Sequence, residues 1–226
     1  MIANDIEILP ICLTDTLSTS NCYIIKSAQH VVIIDPNDFI KIDNLLQSHN
    51  WILDWVLLTH EHCDHIAGLN KLRQYYTVKV LASQACSLGI QSTTINMTRI
   101  MEAYLYFKSG GTVLIKYPKF TCASADVTFE DSFDFDWKEY HFHFISVPGH
   151  TSGSVCILVN NSMLFSGDYL IPGEEVVTRL PGGSEEAYEK HGKATLRSLP
   201  ENIWTFPGHG NPFLLTNEVK HEHGLY

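Results

Sequence analysis

Thr59-His60-Glu61-His62-Cys63-Asp64-His65 follows directly on the apolar run Trp55-Val56-Leu57-Leu58. The run reads as a buried strand, and the polar stretch as the loop that leaves its end. His60, His62, Asp64 and His65 place three imidazoles and a carboxylate within six positions. Packing does not ask for that density. Imidazole and carboxylate together suit zinc, iron or manganese, and mixed N/O ligation leaves a coordination position open to water. The stretch points to a metal-dependent enzyme, with a hydrolase as the first expectation.

The surrounding chain alternates strand and helix. Residues 22–26 and 31–35 read as two strands joined by Ser27-Ala28-Gln29-His30. The break Pro36-Asn37-Asp38 then precedes a helix with Ile42, Leu45 and Leu46 at helical spacing. Leu69, Leu72 and Tyr76 predict a helix over about 64–75, and 78–82 another strand. Residues 84–121 are less regular. Within them Ile100, Met101, Tyr104, Leu105 and Phe107 form an aromatic, partly amphipathic helix ended by Gly110-Gly111. That segment packs on the core or forms a lid over the metal loop. From Asp126 the pattern turns strand-rich, over 127–129, 140–147, 155–159 and 163–166, with Asn160-Asn161 as a hairpin turn. Ser184 with Glu185 and Glu186 caps a helix running toward Leu199, and 203–206 is a further strand. With no linker and no repeat, one α/β domain over 1–226 is expected.

Composition narrows the partners. The chain has 226 residues, 45% hydrophobic and 18% charged, as an ordinary globular protein does. A formal charge of −10 disfavours a nucleic-acid or anionic-membrane surface, which needs clustered Lys and Arg. Residues 1–13 carry Asp5 and Glu7 and lack a basic start followed by a long apolar run, and no stretch approaches the roughly 18 apolar residues of a membrane span. A cytoplasmic protein acting on a small molecule is the expectation. The six cysteines, Cys12, Cys22, Cys63, Cys86, Cys122 and Cys156, form no CxxC pair, so reduced thiols are expected.

Three more polar residues end apolar runs, each just after a glycine: His150 in Val147-Pro148-Gly149-His150-Thr151, Asp168 in Phe165-Ser166-Gly167-Asp168, and His209 in Phe206-Pro207-Gly208-His209-Gly210. Each projects from a strand-end loop, where open sheets place their ligand sites. Taken with the first stretch, in this order, these motifs resemble the metallo-β-lactamase-fold superfamily over roughly residues 20–210. In appearance the chain is similar to the glyoxalase II-like hydrolases. The resemblance implies a four-layer αββα sandwich with a dinuclear site along one sheet edge. It implies that His60, His62 and His150 hold one divalent metal ion and Asp64, His65 and His209 a second, with Asp168 bridging both. Zinc is the first expectation, with iron or manganese as alternatives. A hydroxide bridging the ions would attack an ester, thioester or lactone carbonyl, with Asp64 also orienting the nucleophile.

The other polar residues are weighed against this frame. Flavodiiron relatives carry Glu where this chain has His62; Glu61 lies one position earlier and is expected to point away from the metals. Cys63 reads as packing. His141 and His143 alternate on one strand and read as an exposed sheet face, and His221 and His223 as a solvated tail. Asp35, Thr59 and Thr151 are expected to brace ligands. Acyl-homoserine lactonases use a pocket tyrosine, a role open to Tyr104, Tyr106 or Tyr169, with Tyr169 best placed beside Asp168. Arg179 is a candidate for an anionic substrate group. The chain runs 17 residues past His209, without the basic helical domain of true glyoxalase II enzymes. The competing functions are a mononuclear iron persulfide dioxygenase and a non-catalytic, metal-stabilised binding module. The oligomeric state is left open, with the aromatic stretch 104–117 as a candidate interface for a homodimer.

Overall fold

The computed structural model describes residues 11–226, so the reading of 1–10 lies outside the described residues. The first half contributes strands β1 (Ile11–Thr14), β2 (Asn21–Ser27), β3 (His30–Ile34), β4 (Ile52–Leu57), β5 (Lys79–Ser83) and β6 (Val127–Phe129). They lie side by side in chain order; the first two pairings are antiparallel and the last three parallel. Helices α1 (Phe39–His49), α2 (Cys63–Ile66), α3 (Leu69–Tyr75), α4 (Gln84–Gly89) and α5 (Met101–Lys108) come from the connections. The second sheet holds β7 (Ser132–Trp137), β8 (Tyr140–Ser146), β9 (Val155–Val159), β10 (Met163–Gly167), β11 (Ile203–Pro207) and β12 (Phe213–Leu215). Its order is β12-β11-β10-β9-β8-β7, with only β10 and β11 parallel. Helices α6 (Glu185–Ala187), α7 (Lys193–Ser198) and α8 (Asn217–Glu222) belong to this half, with a π-helical turn at Tyr188–Gly192 joining α6 to α7.

The layering follows from side-chain alternation. Along β2, Tyr23 and Ile25 face the second sheet while Cys22 and Ile24 face the helices. Val32 and Ile34 against Val31 and Ile33 do the same on β3. Such strands are apolar on both faces, which is why they read as unbroken Ile/Val runs. Tyr23, Ile25, Val32, Ile34, Leu57 and Leu81 meet Phe142, Phe144, Ile157, Phe165 and Phe206 between the sheets. Each such burial contributes about 1.5–3 kcal/mol. Outside the first sheet lie Ile42, Leu46, Leu69 and Leu72; outside the second, Leu196, Leu199 and Leu225. The expected αββα sandwich is observed. No helix among the described residues is long and apolar enough to cross a membrane.

Local chemistry explains the element ends. Asp38 caps α1 by accepting from the N–H groups of Ile40 and Lys41. Asn160 and Asn161 both adopt positive φ, 49° and 53°, as the tight β9–β10 turn requires. The helix expected over 64–75 is two pieces, α2 and α3. The Gly68 N–H donates to Pro36 O at 2.8 Å and interrupts the ladder. Strands β1, β7 and β12 and helices α4 and α8 were not anticipated. They are short, or, like β7, carry their polar residues on an edge strand. Residue Phe107 of α5 is 77% exposed, so the apolar face of that helix is narrower than its composition suggests, with Met101 and Leu105 as its buried members.

The outer faces of β7 and β8 pair His with Asp. Asp134 lies opposite His143, and Asp136 opposite His141. The Asp136 carboxylate accepts from His141 Nδ1 at 2.7 Å, and Asp134 from His143 Nδ1 at 2.8 Å. This is the exposed sheet face expected of the two histidines. The hydrogen bond to Asp136 raises the His141 pKa above its ordinary value. A raised folded-state value stabilises the fold below the ordinary histidine pKa of about 6.5 and is lost as pH rises through the folded value. NMR titration of Asp136→Asn should therefore show the His141 pKa falling toward the ordinary value. Any stability difference from wild type should appear at pH 6 and vanish above pH 8.

Candidate metal centre

The ligand candidates meet at one edge of the sandwich because strand ends deliver them there. The loop after β4 carries His60 and His62, and α2 carries Asp64 and His65; β8 leads to His150; parallel β10 and β11 end side by side at Asp168 and His209. Backbone bonds lock this edge. Gly208 N donates to Gly167 O at 2.7 Å, Asn21 N to Gly208 O at 2.7 Å, and Val155 N to Thr59 O at 2.8 Å. Gly167 sits at φ 55°, and a Cβ there would lie 2.8 Å from Thr59 Oγ1, so the glycine lets β10 approach the metal loop. A Cβ on Gly208 would collide with Asp168 Oδ1 and lie 2.9 Å from His65 Cε1.

Two sets of donor atoms result: His60, His62, His150 and Asp168 in one, Asp64, His65 and His209 in the other. His62 Nδ1 lies 3.0 Å from His150 Nε2. Asp168 Oδ2 lies 3.3 Å from His150 Nε2, 3.6 Å from His209 Nε2 and 3.9 Å from His60 Nε2. Its Oδ1 lies 3.2 Å from His65 Nε2. His209 Nε2 is 3.5 Å from Asp64 Oδ2. Asp168 thus stands between the two sets. His60 Nε2, His65 Nε2 and Asp168 Oδ1 are buried yet make no hydrogen bond. The 3.2 Å approach of His65 to Asp168 lacks hydrogen-bond alignment. Buried donors left unpaired are costly. Divalent cations between them would satisfy all three, so the residues present fit the metal that the donor chemistry implies.

The opposite ring nitrogens are held. Asp35, at φ 54° after β3, accepts from His65 Nδ1 at 3.1 Å and from Thr59 N at 2.8 Å. Thr59 Oγ1 sits 3.1 Å from His60 Nδ1. His150 Nδ1 meets Val177 O at 2.8 Å and His62 Nε2 meets Pro181 O at 3.2 Å. These contacts orient the rings and leave one nitrogen of each facing the centre. Asp35, His60 and His65 also converge closely enough to hold an ion. Since Asp35 already occupies His65 Nδ1, its position is that of a brace. Asp35 and Thr59 therefore act as expected, while the carbonyls of Val177 and Pro181 carry no side-chain signal in the sequence.

Electrostatics separates the sets. Burial drives His60 and His150 below the ordinary imidazole value and His62 to about 3, so these rings are neutral, as ligation requires. Burial, the largest single influence, would depress His65 and His209, but the carboxylates of Asp168 and Asp64 together, joined by Asp35 for His65, outweigh it and both are raised. Burial alone would raise Asp168; His209, His65 and His60 hold it well below the carboxylate range.

The remaining candidates separate clearly. Glu61 is buried among Gly89, Gly153 and Gly182, accepts from Thr151 Oγ1 at 2.9 Å, and is pushed by burial to about 7. It stands apart from both donor sets, as expected. Cys63 packs with Met97, Met101 and Leu105. Tyr169 does not face a substrate. It is 1% exposed, and its hydroxyl donates to Val147 O and accepts from His150 N, bracing the loop that carries His150. Arg179 is exposed and lines neither cavity at the centre. Tyr104 does line one, with His150, Asp168 and His209. Lys108, one helical turn on from Tyr104, lines it too and was missed; the i, i+4 spacing was the available signal. His221 and His223 belong to α8 and the turn after it, with His223 half-buried.

Comparison with known proteins agrees with this geometry. The Metallo-beta-lactamase superfamily profile matches residues 15–209, and the chain belongs to that family. It is 26% identical to the probable metallo-hydrolase YqgX of Bacillus subtilis over 208 residues, 86% of this chain and 92% of that one. The hydroxyacylglutathione hydrolase GloC of Haemophilus influenzae is 26% identical over 219 residues, 92% and 91% of the two chains. Longer hydroxyacylglutathione hydrolases also match; that of Aliivibrio fischeri is 31% identical over 142 residues, 62% of this chain and 42% of the relative. Among solved structures, BLEG-1 B3 metallo-beta-lactamase has a TM-score of 0.78 at 22% identity, covering 96% of this chain and 99% of its own. The di-iron-bound form of TTHA1623 has a TM-score of 0.68 at 25% identity, with 96% and 98% covered.

Asp35→Asn should lower metal affinity about 10- to 100-fold, as loss of a carboxylate behind a ligand imidazole does. Chelator-competition titration reads the affinity, and an unchanged far-UV circular dichroism spectrum shows that the fold is retained.

Proposed function

We propose that this chain is a dinuclear metallohydrolase that cleaves an ester, thioester or lactone bond of a small molecule. The observation that carries the reading is the trio of buried, unpaired donors, His60 Nε2, His65 Nε2 and Asp168 Oδ1, facing one another across a space bounded by both donor sets. His60, His62 and His150 hold one ion; Asp64, His65 and His209 hold the other; Asp168 spans them. Two divalent ions, when bound, supply an acidified water and a Lewis acid for the carbonyl oxygen. The protein's part is placement. Asp168 brings a shared negative charge between the sets, Asp35 and Thr59 fix His65 and His60, and Tyr169 fixes the His150 loop. In this reading Asp64 also orients the attacking nucleophile.

The hydrolase names of GloC and YqgX support a hydrolytic reaction and a thioester as the first substrate to try. Zinc is the expected metal, supported by the 26% identity over 191 residues to BaeB of Bacillus velezensis, described as a probable polyketide biosynthesis zinc-dependent hydrolase. The di-iron form of TTHA1623 makes iron the alternative.

Purified protein should carry two metal ions per chain by elemental analysis and release thiol from simple thioesters. Asp168→Ala should lose metal and reduce kcat/KM by at least about 100-fold. Chelation should abolish turnover, and zinc should restore it. One iron per chain, with oxygen consumed in the presence of glutathione persulfide, would replace this reading with the dioxygenase one.

A further inference from the structure

A cavity of about 230 Å³ opens beside Asp64, and no Lys, Arg or His of the described residues lines it. Asp15, in the turn between β1 and β2, does line it. Its Oδ2 accepts from Leu17 N at 2.9 Å, Ser18 N at 2.6 Å and Ser18 Oγ at 2.9 Å, while its Oδ1 takes no hydrogen bond among the described residues. Lys41 of α1 donates to the neighbouring Thr14 O at 2.9 Å and faces Asp38, outside ion-pair range of Asp15. Asn37 lines the same cavity and is 5% exposed. Its amide nitrogen donates to Leu13 O at 2.9 Å and Ser20 O at 2.7 Å, which leaves its Oδ1 buried without a donor. An unpaired buried acceptor is costly, and an N–H group arriving in the cavity would satisfy it. Leu17, Ala67 and Phe120 supply apolar wall. Charge elsewhere at the centre has the same sign. The narrow cleft on the other side sets Glu174 and Glu175 against Lys108, and a cavity sharing those two glutamates adds three more against Lys193. Lys193 is already paired with one of them, Glu189, at 2.6 Å. Beyond the metal ligands, the approach to the centre is negative.

Resting on the hydrolase reading above, we infer that the substrate carries an ammonium group on a short apolar arm, held in the cavity beside Asp64 by the carboxylate of Asp15 and by Asn37 Oδ1. The scissile carbonyl then lies between the two donor sets. Asp15 selects by charge and Asn37 by accepting an N–H. Such a site suits an amino ester or amino thioester, and its negative walls oppose the carboxylates of an anionic competitor. A charge-assisted contact of this kind discriminates by about tenfold or more.

Two thioesters of one shape test the inference in the zinc-loaded protein at pH 7: S-dimethylaminoethyl thiobenzoate, whose tertiary amine is protonated, and its carbon isostere S-isopentyl thiobenzoate. The S-benzyl thioesters of dimethylaminopentanoic acid and of its carbon isostere present the same groups from the acyl side. With each kcat/KM divided by the ester's own hydroxide rate constant, wild type should favour the amine by at least about tenfold in one of the two pairs. Asp15→Asn, which keeps an oxygen for the turn, should bring that ratio to about unity through KM for the amine. Leu17→Lys, at a position 40% exposed, places a rival ammonium in the cavity and should do the same. No preference in either pair, or a preference that both variants leave intact, would overturn the inference. An equal loss in Glu174→Gln would overturn the assignment to this cavity, since Glu174 lines only the opposite side. If wild type cleaves none of the four, the hydrolase reading fails separately, and calorimetric titration with N-dimethylaminoethyl benzamide and N-isopentyl benzamide decides the subsite. Affinity for the amine at least about tenfold higher, and lost in Asp15→Asn, supports it; equal affinities refute it.

Discussion

Asp168 is the constraint on which the rest of the structure depends. Its carboxylate is buried among the rings of His60, His65, His150 and His209, at 3.2 to 3.9 Å. An isolated charge in such a place costs several kcal/mol, and it persists only because surrounding groups compensate. Two features of the fold make this arrangement hold. Parallel β10 and β11 end together, so Asp168 and His209 reach the same point from adjacent strands. The aromatic and aliphatic layer between the sheets, with Phe165 and Phe206 stacked 5.1 Å apart directly behind that edge, keeps the strand ends from shifting.

The same edge shows how ring orientation is transmitted from the core. Asp35 ends β3, and its carboxylate links the first residue of the metal loop, Thr59, to its last, His65. Tyr169 ties the His150 loop to the end of β8 through Val147 O. The segment after Asp168 returns to supply Val177 O and Pro181 O to His150 and His62. The groups that aim the imidazoles thus come from elements far apart in the chain. A local description of the metal loop would omit most of what orients it.

Burial also divides the polar residues of the site into those that face the shared centre and those that pack behind it. Glu61 and Cys63 sit between ligand candidates in the chain, yet their side chains leave on the other side of the loop. Glu61 packs against three glycines and Thr151, and Cys63 against Met97, Met101 and Leu105. Glu61 is turned away along the extended stretch before α2, and Cys63 by its place on the first turn of that helix, so adjacency in sequence is a poor guide to membership of the centre. Tyr169 shows the reverse error. Next to Asp168 in the chain, it turns inward and stacks on Tyr188 at 6.1 Å.

The chain's letters were enough to name the His and Asp residues that converge on one edge of the sandwich. The density of His and Asp around residue 60, and the glycine-preceded His150, Asp168 and His209, marked the residues that meet there, because side-chain type and strand-end placement are local properties. The two-faced Ile/Val runs likewise announced strands buried on both sides. Short elements with weak periodicity, β1, β12, α4 and α8, were not legible, since partners distant in the chain stabilise them. Nor was the direction of any side chain beside the site. Lys108 at the cleft, Tyr169 in the core and Arg179 in solvent are distinguished only by how α5 and the segment after Asp168 pack across the sheet edge. Donor type is written residue by residue; the walls of a pocket are made by contacts between segments, and only the tertiary structure decides them.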